Sequence, residues 1–396
     1  MLSVESAATV RATLPTVQQA LEEITGRFYA TMFADNPDLL RNLFNRGNQA
    51  SGAQRQALAG SIAAFATLLL DRPDERPDAM LARMLSRIAH KHASLGVTPD
   101  QYQIVHKYLL AAIADVLGDA VTAEVAAAWD EVYWLMANAL IALEARLLRE
   151  PGDPWLRATV LERRRQTPDT VSFTLAPSIP LAFTPGQYVS VGVTLPDGAR
   201  QIRQYSLSCA PERGDWRITV RWVRGSGPDG EVSGWLHANV QAGDELTISA
   251  PYGDLTLAPG DAPLLLASAG IGITPMLSML DHLAATGSTR QVIVVHADRS
   301  PADHVHREEL VRLVAELPGA TLHRWYEEAG ACSCDPAPRV GYADLGAIDL
   351  PDGLVAYLCG PLPFMRGVRA DLLRHGVPAR DVHYEVFGPD LWLGQD

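Results

Sequence analysis

At Pro151-Gly152-Asp153-Pro154 the hydrophobic period of this 396-residue chain changes, and no other feature constrains the fold as tightly. Two prolines and a glycine within four residues disfavour continuation of a helix. Before them, from Ala7 to Glu150, Ala, Leu and Met recur at helical spacing with no alternating run, which predicts an all-helical block. Pro37, Pro73, Pro77 and Pro99 fall at predicted helix starts or connections, where a missing amide donor costs little, and Gly47, Gly96 and Gly118 mark predicted ends. Pro15 predicts a kink or interruption of the first helix. Beyond the boundary, Val171-Ser172-Phe173-Thr174-Leu175 and the run from Trp216 to Trp222 alternate apolar with polar residues, as half-buried antiparallel strands of a small barrel or sandwich do. From about Ala262, apolar runs at Leu264–Ser268, Val292–Val295, Ala320–Trp325 and Val355–Leu358 alternate with helical stretches after Thr274, Asp303 and Pro361. That rhythm implies a parallel, doubly wound sheet. The expected organisation is therefore multidomain: an all-α domain at 1–150, an antiparallel β-barrel at 151–260, and an α/β doubly wound domain at 261–396. Glu327–Arg339 is the longest irregular stretch.

Composition narrows the function. With 33 Lys and Arg against 46 Asp and Glu, the net charge of -13 opposes sequence-independent attraction to nucleic acid or anionic lipid. No segment approaches the ~18 uninterrupted apolar residues of a membrane span, and the first residues lack a signal-peptide pattern, so a cytoplasmic protein is expected. Four scattered cysteines, Cys209, Cys332, Cys334 and Cys359, suit reduced thiols, and Cys332-x-Cys334 lacks the second ligand pair of a metal site. The partners to expect are small molecules, with no obligatory protein partner.

Ala269-Gly270-Ile271-Gly272-Ile273-Thr274-Pro275 follows a buried strand and opens a helix. Its glycines admit a pyrophosphate close to the backbone, the helix N-terminus offers free N–H groups, and Pro275 fits the first turn. Leu358-Cys359-Gly360-Pro361 is a second turn of the same kind. In the barrel, Arg203-Gln204-Tyr205-Ser206 is preceded by Pro185-Gly186-Gln187-Tyr188 and followed by Gly230-Glu231-Val232-Ser233. An arginine can clamp a phosphate, a neighbouring aromatic can stack a flat ring, and Gly-x-Val-Ser at a helix start supplies further donors for a diphosphate. In this order the motifs resemble the ferredoxin–NADP reductase superfamily. The resemblance implies that Arg203 neutralises the diphosphate of FAD, Tyr205 stacks on the isoalloxazine, Ser206 lies near its hydride-accepting nitrogen, and Tyr188 helps enclose it. It also implies that Glu385-Val386-Phe387-Gly388-Pro389 places Phe387 over the flavin face where nicotinamide arrives, and that the 270–275 turn and Cys359-Gly360 hold the nicotinamide dinucleotide. After the second parallel strand Asp298 favours a free ribose hydroxyl and Arg299 a 2′-phosphate, so the choice between NADH and NADPH stays open.

In the helical block the candidate ligands are His90, His92 and His106. On a helix His90 and His92 face roughly opposite ways, so they cannot share one ion. The run from Met84 to Leu95, ending at Gly96 and followed by Pro99-Asp100-Gln101-Tyr102, resembles the region of globins that carries the proximal histidine and aligns His92 with it. Phe28-Tyr29, Phe33, Pro37 and Leu43-Phe44-Asn45 resemble the globin helix and corner on the distal side, and Gln54 falls at the distal position. The whole chain resembles the bacterial flavohaemoglobins. The resemblance implies haem b with iron on His92, Tyr29 and Gln54 as donors to bound oxygen, and Phe44 and Leu58 lining the pocket. It further implies Tyr102 and Glu144 hydrogen-bonding the proximal imidazole, and Lys91 on the haem–flavin side, placed to pair with Glu385. A carboxylate on the imidazole would push electron density to iron. Two residues depart from the family: Ile273 stands where glutamine is usual, removing an amide near the nicotinamide, and Val386 where cysteine is common. The implied function is nitric oxide dioxygenation, with NAD(P)H reducing FAD, FAD reducing haem, and O2 and NO giving nitrate. A flavin-driven haem peroxidase or alkyl hydroperoxide reductase, and a non-enzymatic oxygen or nitric oxide sensor, share the same motifs.

Overall fold

The structure is a computed structural model that describes residues 2–71, 79–148, 155–224, 229–328, 330 and 337–389. Pro73, Pro77, Cys332, Cys334 and most of the 327–339 stretch lie outside the described residues. The chain divides into two compact units: residues 1–154 with 194–202 and 388–396, and residues 155–193 with 203–387.

The first unit is helical: α1 (Val4–Asp35), α2 (Pro37–Asn42), α3 (Arg46–Ala50), α4 (Ala53–Asp71), α5 (Ala79–Leu95), α6 (Pro99–Leu117) and α7 (Ala123–Leu147). Along α1 the buried residues Val10, Leu14, Val17, Leu21, Ile24 and Phe28 recur every three or four positions, so one stripe faces the core. Against expectation, α1 runs unbroken through Pro15. Pro15 sits on the exposed face, where water can satisfy the carbonyl that loses its amide, while the buried stripe holds both halves. Pro37 and Pro99 occupy first helical turns, and Gly96, at a φ of 75°, closes α5, as the sequence predicts. Gly47 instead lies inside α3, whose start is set by Asn45: its Oδ1 accepts the Asn48 N–H at 3.2 Å.

The second unit contains two sheets. β1 (Trp155–Thr167), β2 (Thr170–Pro177), β3 (Tyr188–Thr194), β4 (Arg200–Ser206), β5 (Trp216–Arg221) and β6 (Glu245–Ser249) form one sheet in the order β4-β3-β6-β1-β2-β5, with α8 (Glu231–Asn239) between β5 and β6. Its pairs β1·β2, β1·β6, β2·β5 and β3·β6 are antiparallel, and a bridge from Leu207 to Ile218 links its two ends. β2 is more buried than alternation suggests, because Ser172 as well as Phe173 and Leu175 is enclosed. The other sheet is parallel: β7 (Leu264–Ala269), α9 (Ile273–Ala285), β8 (Val292–Asp298), α10 (Arg307–Glu316), β9 (Ala320–Tyr326), β10 (Arg339–Val340), β11 (Val355–Cys359), α11 (Leu362–Arg374) and β12 (Val382–Glu385) give the order β10-β9-β8-β7-β11-β12. The order reverses between β7 and β11, which is where such folds open a ligand crevice beyond the strand ends. Among the described residues no helix is long and apolar enough to cross a membrane.

Candidate active site

In the helical unit, three helices bring His92, Tyr102 and Glu144 together. Val97 N–H closes the end of α5 on the carbonyl of His92 at 3.1 Å, and Gln101 Oε1 accepts the Thr98 N–H at 3.1 Å, fixing Tyr102 in the first turn of α6. Glu144 follows Ala137 and Leu140 on the buried stripe of α7 and is 4% exposed. Its Oε1 lies 2.9 Å from His92 Nδ1 and 2.5 Å from the Tyr102 hydroxyl, which is itself 2.9 Å from Nδ1. A carboxylate oxygen can only accept, so Nδ1 carries the ring proton and the lone pair falls on Nε2, which has no partner among the described residues. An imidazole held this way, with its far nitrogen open, could ligate a haem iron. Burial, and then the Glu144 charge, push the Tyr102 hydroxyl pKa far up, so it stays a donor. His106 is committed elsewhere, its Nε2 2.6 Å from Asp130 Oδ1.

Tyr29 stands in an aromatic nest, its ring 4.6 Å from Phe28, 5.5 Å from Phe33 and 5.9 Å from Phe44. Burial drives its hydroxyl pKa up, against hydrogen bonds with Gln54 and Gln49. Gln49 is a residue the sequence reading missed, its side-chain amide facing the Tyr29 hydroxyl beside Gln54. A glutamine five residues before Gln54 was the available signal. Leu58 packs at the edge of the same core. Lys91 Nζ donates to the carbonyl of Gly388 at 2.5 Å. The 194–202 hairpin clusters with these helices: the Gln201 side-chain amide donates to the carbonyls of Arg41 at 3.1 Å and Phe44 at 3.2 Å, bracing the corner that presents Phe44.

In the second unit, β7 ends in the turn Gly270-Ile271-Gly272, and α9 begins at Ile273. Gly270 has a φ of 53°, a left-handed conformation that suits glycine. At Gly272 a Cβ would lie 2.3 Å from the Cys359 carbonyl oxygen, so only glycine lets this turn seat against Cys359-Gly360 at the end of β11. The side chains of Ile273, Thr274 and Pro275 are buried, Ile273 within the apolar core and Thr274 with its hydroxyl donating to the Ile271 carbonyl at 3.1 Å. What the turn offers a ligand is therefore backbone and helix dipole. Arg221, also missed, brings Nη1 to 3.6 Å from the position a Gly270 Cβ would take, a cation beside this turn that is paired with Asp169 at 3.1 Å. One register row of the parallel sheet carries Glu385, Cys359, Ser268, His296 and Arg324, all buried. Burial, and then Glu385, raise the Cys359 pKa well above the thiol range, so it remains a thiol.

The barrel residues gather on β3, β4 and the start of α8. Ser206 Oγ is buried without a hydrogen-bond partner among the described residues, which fits a polar group arriving from a bound flavin. Tyr205 is half-buried beside Arg203, and desolvation pushes its hydroxyl pKa up. Gln204 Nε2 donates to Ser190 Oγ at 3.2 Å, and Tyr188 is bridged to Tyr252 through both backbone amides at 2.8 Å. Val232 is buried, and Ser233 Oγ is turned inward, accepting the Val223 N–H at 3.2 Å and donating to the Gly230 carbonyl at 3.1 Å. The α8 N-terminus thus contributes backbone donors more than side chains. Val386 is half-buried, Phe387 is 46% exposed, and Gly388 and Pro389 follow as bends.

Fold and site together define a globin joined to an oxidoreductase module. Residues 26–140 match the globin family and residues 266–370 the oxidoreductase NAD-binding domain. The chain is 42% identical to a flavohaemoprotein of Bordetella pertussis, with 98% of this chain and 99% of the relative covered, and 39% identical to one of Rhizobium meliloti over 99% and 100%. A crystal structure of flavohaemoglobin from Malassezia yamatoensis with bound FAD and haem covers 98% of this chain and all of its own, at a TM-score of 0.87 and 37% identity. The flavohaem-like FAD/NAD-binding domain of a Vibrio cholerae nitric oxide dioxygenase covers 59% of this chain and 99% of its own, at 0.55 and 35%. The chain belongs to the flavohaemoprotein family.

Proposed function

We propose that the protein is a nitric oxide dioxygenase that spends NAD(P)H, through FAD and haem b, on converting O2 and NO to nitrate. Three functional domains, 1–150 for haem, 151–260 for FAD and 261–396 for the nucleotide, and a cytoplasmic setting belong to this reading. When bound, haem supplies the iron at which the two gases combine, and FAD divides the electron pair of a hydride into single electrons. Each NADH thus provides electrons for two nitrates. The chain's own residues do the rest. His92 holds the iron through Nε2 while Glu144, hydrogen-bonded at Nδ1, gives the imidazole anionic character. Tyr102 fixes that carboxylate by donating to the same oxygen. On the distal side, the Tyr29 hydroxyl and the amides of Gln54 and Gln49 direct donors at a ligand that gathers negative charge. In the reductase half, Arg203, Tyr205 and Ser206 hold and orient the flavin, with Tyr188, Gln204 and the Gly230 helix start around them. The 270–275 turn with Cys359-Gly360 seats the nicotinamide dinucleotide, and Val386 to Pro389 form the segment at the flavin face.

The His92–Tyr102–Glu144 group carries the reading, because a simple oxygen carrier has no use for an electron-pushing proximal carboxylate. The test is aerobic nitric oxide consumption by haem- and FAD-loaded protein on adding NADH, with nitrate quantified. One nitrate per nitric oxide is expected. Slow consumption together with rapid peroxide turnover would replace the dioxygenase with a peroxidase.

A further inference from the structure

We propose that Asp303 makes the nucleotide site selective for NADH over NADPH, by engaging the Arg299 guanidinium that would otherwise hold a 2′-phosphate. The inference rests on reading the 270–275 turn as a dinucleotide site. In doubly wound folds the end of the second strand meets the adenosine ribose, where an acid accepts the 2′-hydroxyl and an arginine accommodates a 2′-phosphate. Here that strand is β8, and it ends with one of each, Asp298 and Arg299.

The geometry separates the two. Asp298 turns inward: its side chain is 7% exposed, with Oδ1 accepting the Arg299 N–H at 2.8 Å and Oδ2 3.6 Å from His296 Nε2. Arg299 points outward at 61% exposure, but its Nη2 lies 3.1 Å from Asp303 Oδ1. Asp303 is itself anchored, since its Oδ2 accepts the Ser300 hydroxyl at 2.7 Å. Two backbone hydrogen bonds then bring more acid to this turn. Glu327 N–H donates to the Asp298 carbonyl at 3.2 Å and Glu328 N–H to the Arg299 carbonyl at 2.8 Å, and both glutamates are exposed. Arg339, the cation of the adjoining strand, lies over the Trp325 ring at 4.9 Å and donates to the Ala347 carbonyl. Arg307, which opens α10, and the buried Arg324 of β9 are further cations in this region, both close enough to act on Tyr326 beside Asp298.

An exposed ion pair contributes little to stability. It matters for a ligand that must replace one of its members. A 2′-phosphate has to displace Asp303 from Arg299 at a turn that also carries Asp298, Glu327 and Glu328, whereas a 2′-hydroxyl adds no charge and can donate to a carboxylate.

The experiment titrates NAD+ and NADP+ separately into the full-length, haem- and FAD-loaded protein, following binding by calorimetry. NAD+ is expected to bind at least about tenfold tighter. Asp303→Asn keeps the hydrogen bond from Ser300 but removes the charge, and should tighten NADP+ by about fivefold or more with NAD+ little changed. Arg299→Ala added to Asp303→Asn should cancel that gain, while Arg307→Ala added instead should not. Equal or tighter binding of NADP+ by the parent protein overturns the proposal, as does an unchanged ratio in Asp303→Asn or a gain abolished by Arg307→Ala instead. Binding of neither nucleotide overturns the reading of the turn itself, and this inference with it.

Discussion

The helical unit and the two-sheet unit each set a histidine against a glutamate at the same 2.9 Å, His92 with Glu144 and His306 with Glu309, yet the two rings are finished differently. Around His92, Tyr102 adds a third group on the Glu144 side, and Nε2 is left without a partner among the described residues. Around His306 both nitrogens are closed: Nδ1 meets Glu309, while Nε2 lies 2.9 Å from Thr219 Oγ1 and 3.3 Å from Ser172 Oγ. Glu309 is in turn 2.9 Å from Arg217. The first pair leaves a ring nitrogen open, as the proposed haem ligand requires. The second is a brace tying α10 to β2 and β5. A His–Glu contact therefore says little by itself, and the far ring nitrogen decides what the pair is for.

The sharpest way to break the comparison is to remove each ring. His92→Ala should abolish stable haem binding, read as loss of the Soret band, while flavin content and NADH-driven reduction of an artificial acceptor persist. His306→Ala should leave the Soret band intact and lower the stability of the two-sheet unit by about 2–4 kcal/mol, through a cavity and unpaired hydroxyls and carboxylate. Normal haem ligation in His92→Ala would remove the assignment. Substituting the carboxylates should be milder. Glu144→Gln should retain haem but cut nitric oxide turnover by about 10–100-fold, with a lowered iron–imidazole stretching frequency in resonance Raman spectra. Glu309→Gln should leave that frequency unchanged. Tyr102→Phe, which removes one hydrogen bond to a buried carboxylate, should cost about 1–3 kcal/mol and shift the same vibration less than Glu144→Gln does.

Which parts of this were legible in the sequence follows from how local each signal is. The 270–275 turn was readable because an apolar strand, two glycines and a proline lie within a dozen residues, and His92 because Gly96, Pro99 and Tyr102 follow it at once. Helix α10, expected after Asp303, starts at Arg307. The Ser300–Asp303 turn and a left-handed His306, with a φ of 57°, occupy the residues between. Pro15 does not interrupt α1 because burial on the opposite face outweighs one lost amide. Gln49, Arg221 and Asp303 escaped notice for a different reason: each acts through a partner that only the folded chain brings near, or through a charge already neutralised by its neighbour. The distinction between the two His–Glu pairs was equally hidden, since His306 depends on Ser172 and Thr219, 134 and 87 residues away.

The smallest expected effect is on pH dependence, and it concerns the braced pair alone. Burial holds the His306 pKa below its ordinary 6.5, although Glu309 pulls the other way. For Glu309 burial favours the neutral acid, but the hydrogen bond from His306 and the Arg217 guanidinium prevail and lower its pKa from 4.5 to about 2. A histidine with a depressed folded pKa is neutral in the native chain where the unfolded chain already binds a proton. Its contribution is therefore complete above pH 6.5 and is eroded as pH falls below that value. The depressed glutamate contributes fully above about pH 4.5 and loses that contribution as pH falls towards 2. Two successive acid-side losses are expected in the melting of the two-sheet unit, followed by flavin fluorescence. His306→Gln should flatten the first, below about pH 6.5, relative to the parent protein, and Glu309→Gln the second. His304, also buried in this unit, is depressed by burial as well, so the difference between variant and parent carries the information. Parallel pH profiles for parent and His306→Gln would mean that the ring is not held neutral by the fold, and the brace would lose its distinction from the open pair in the helical unit.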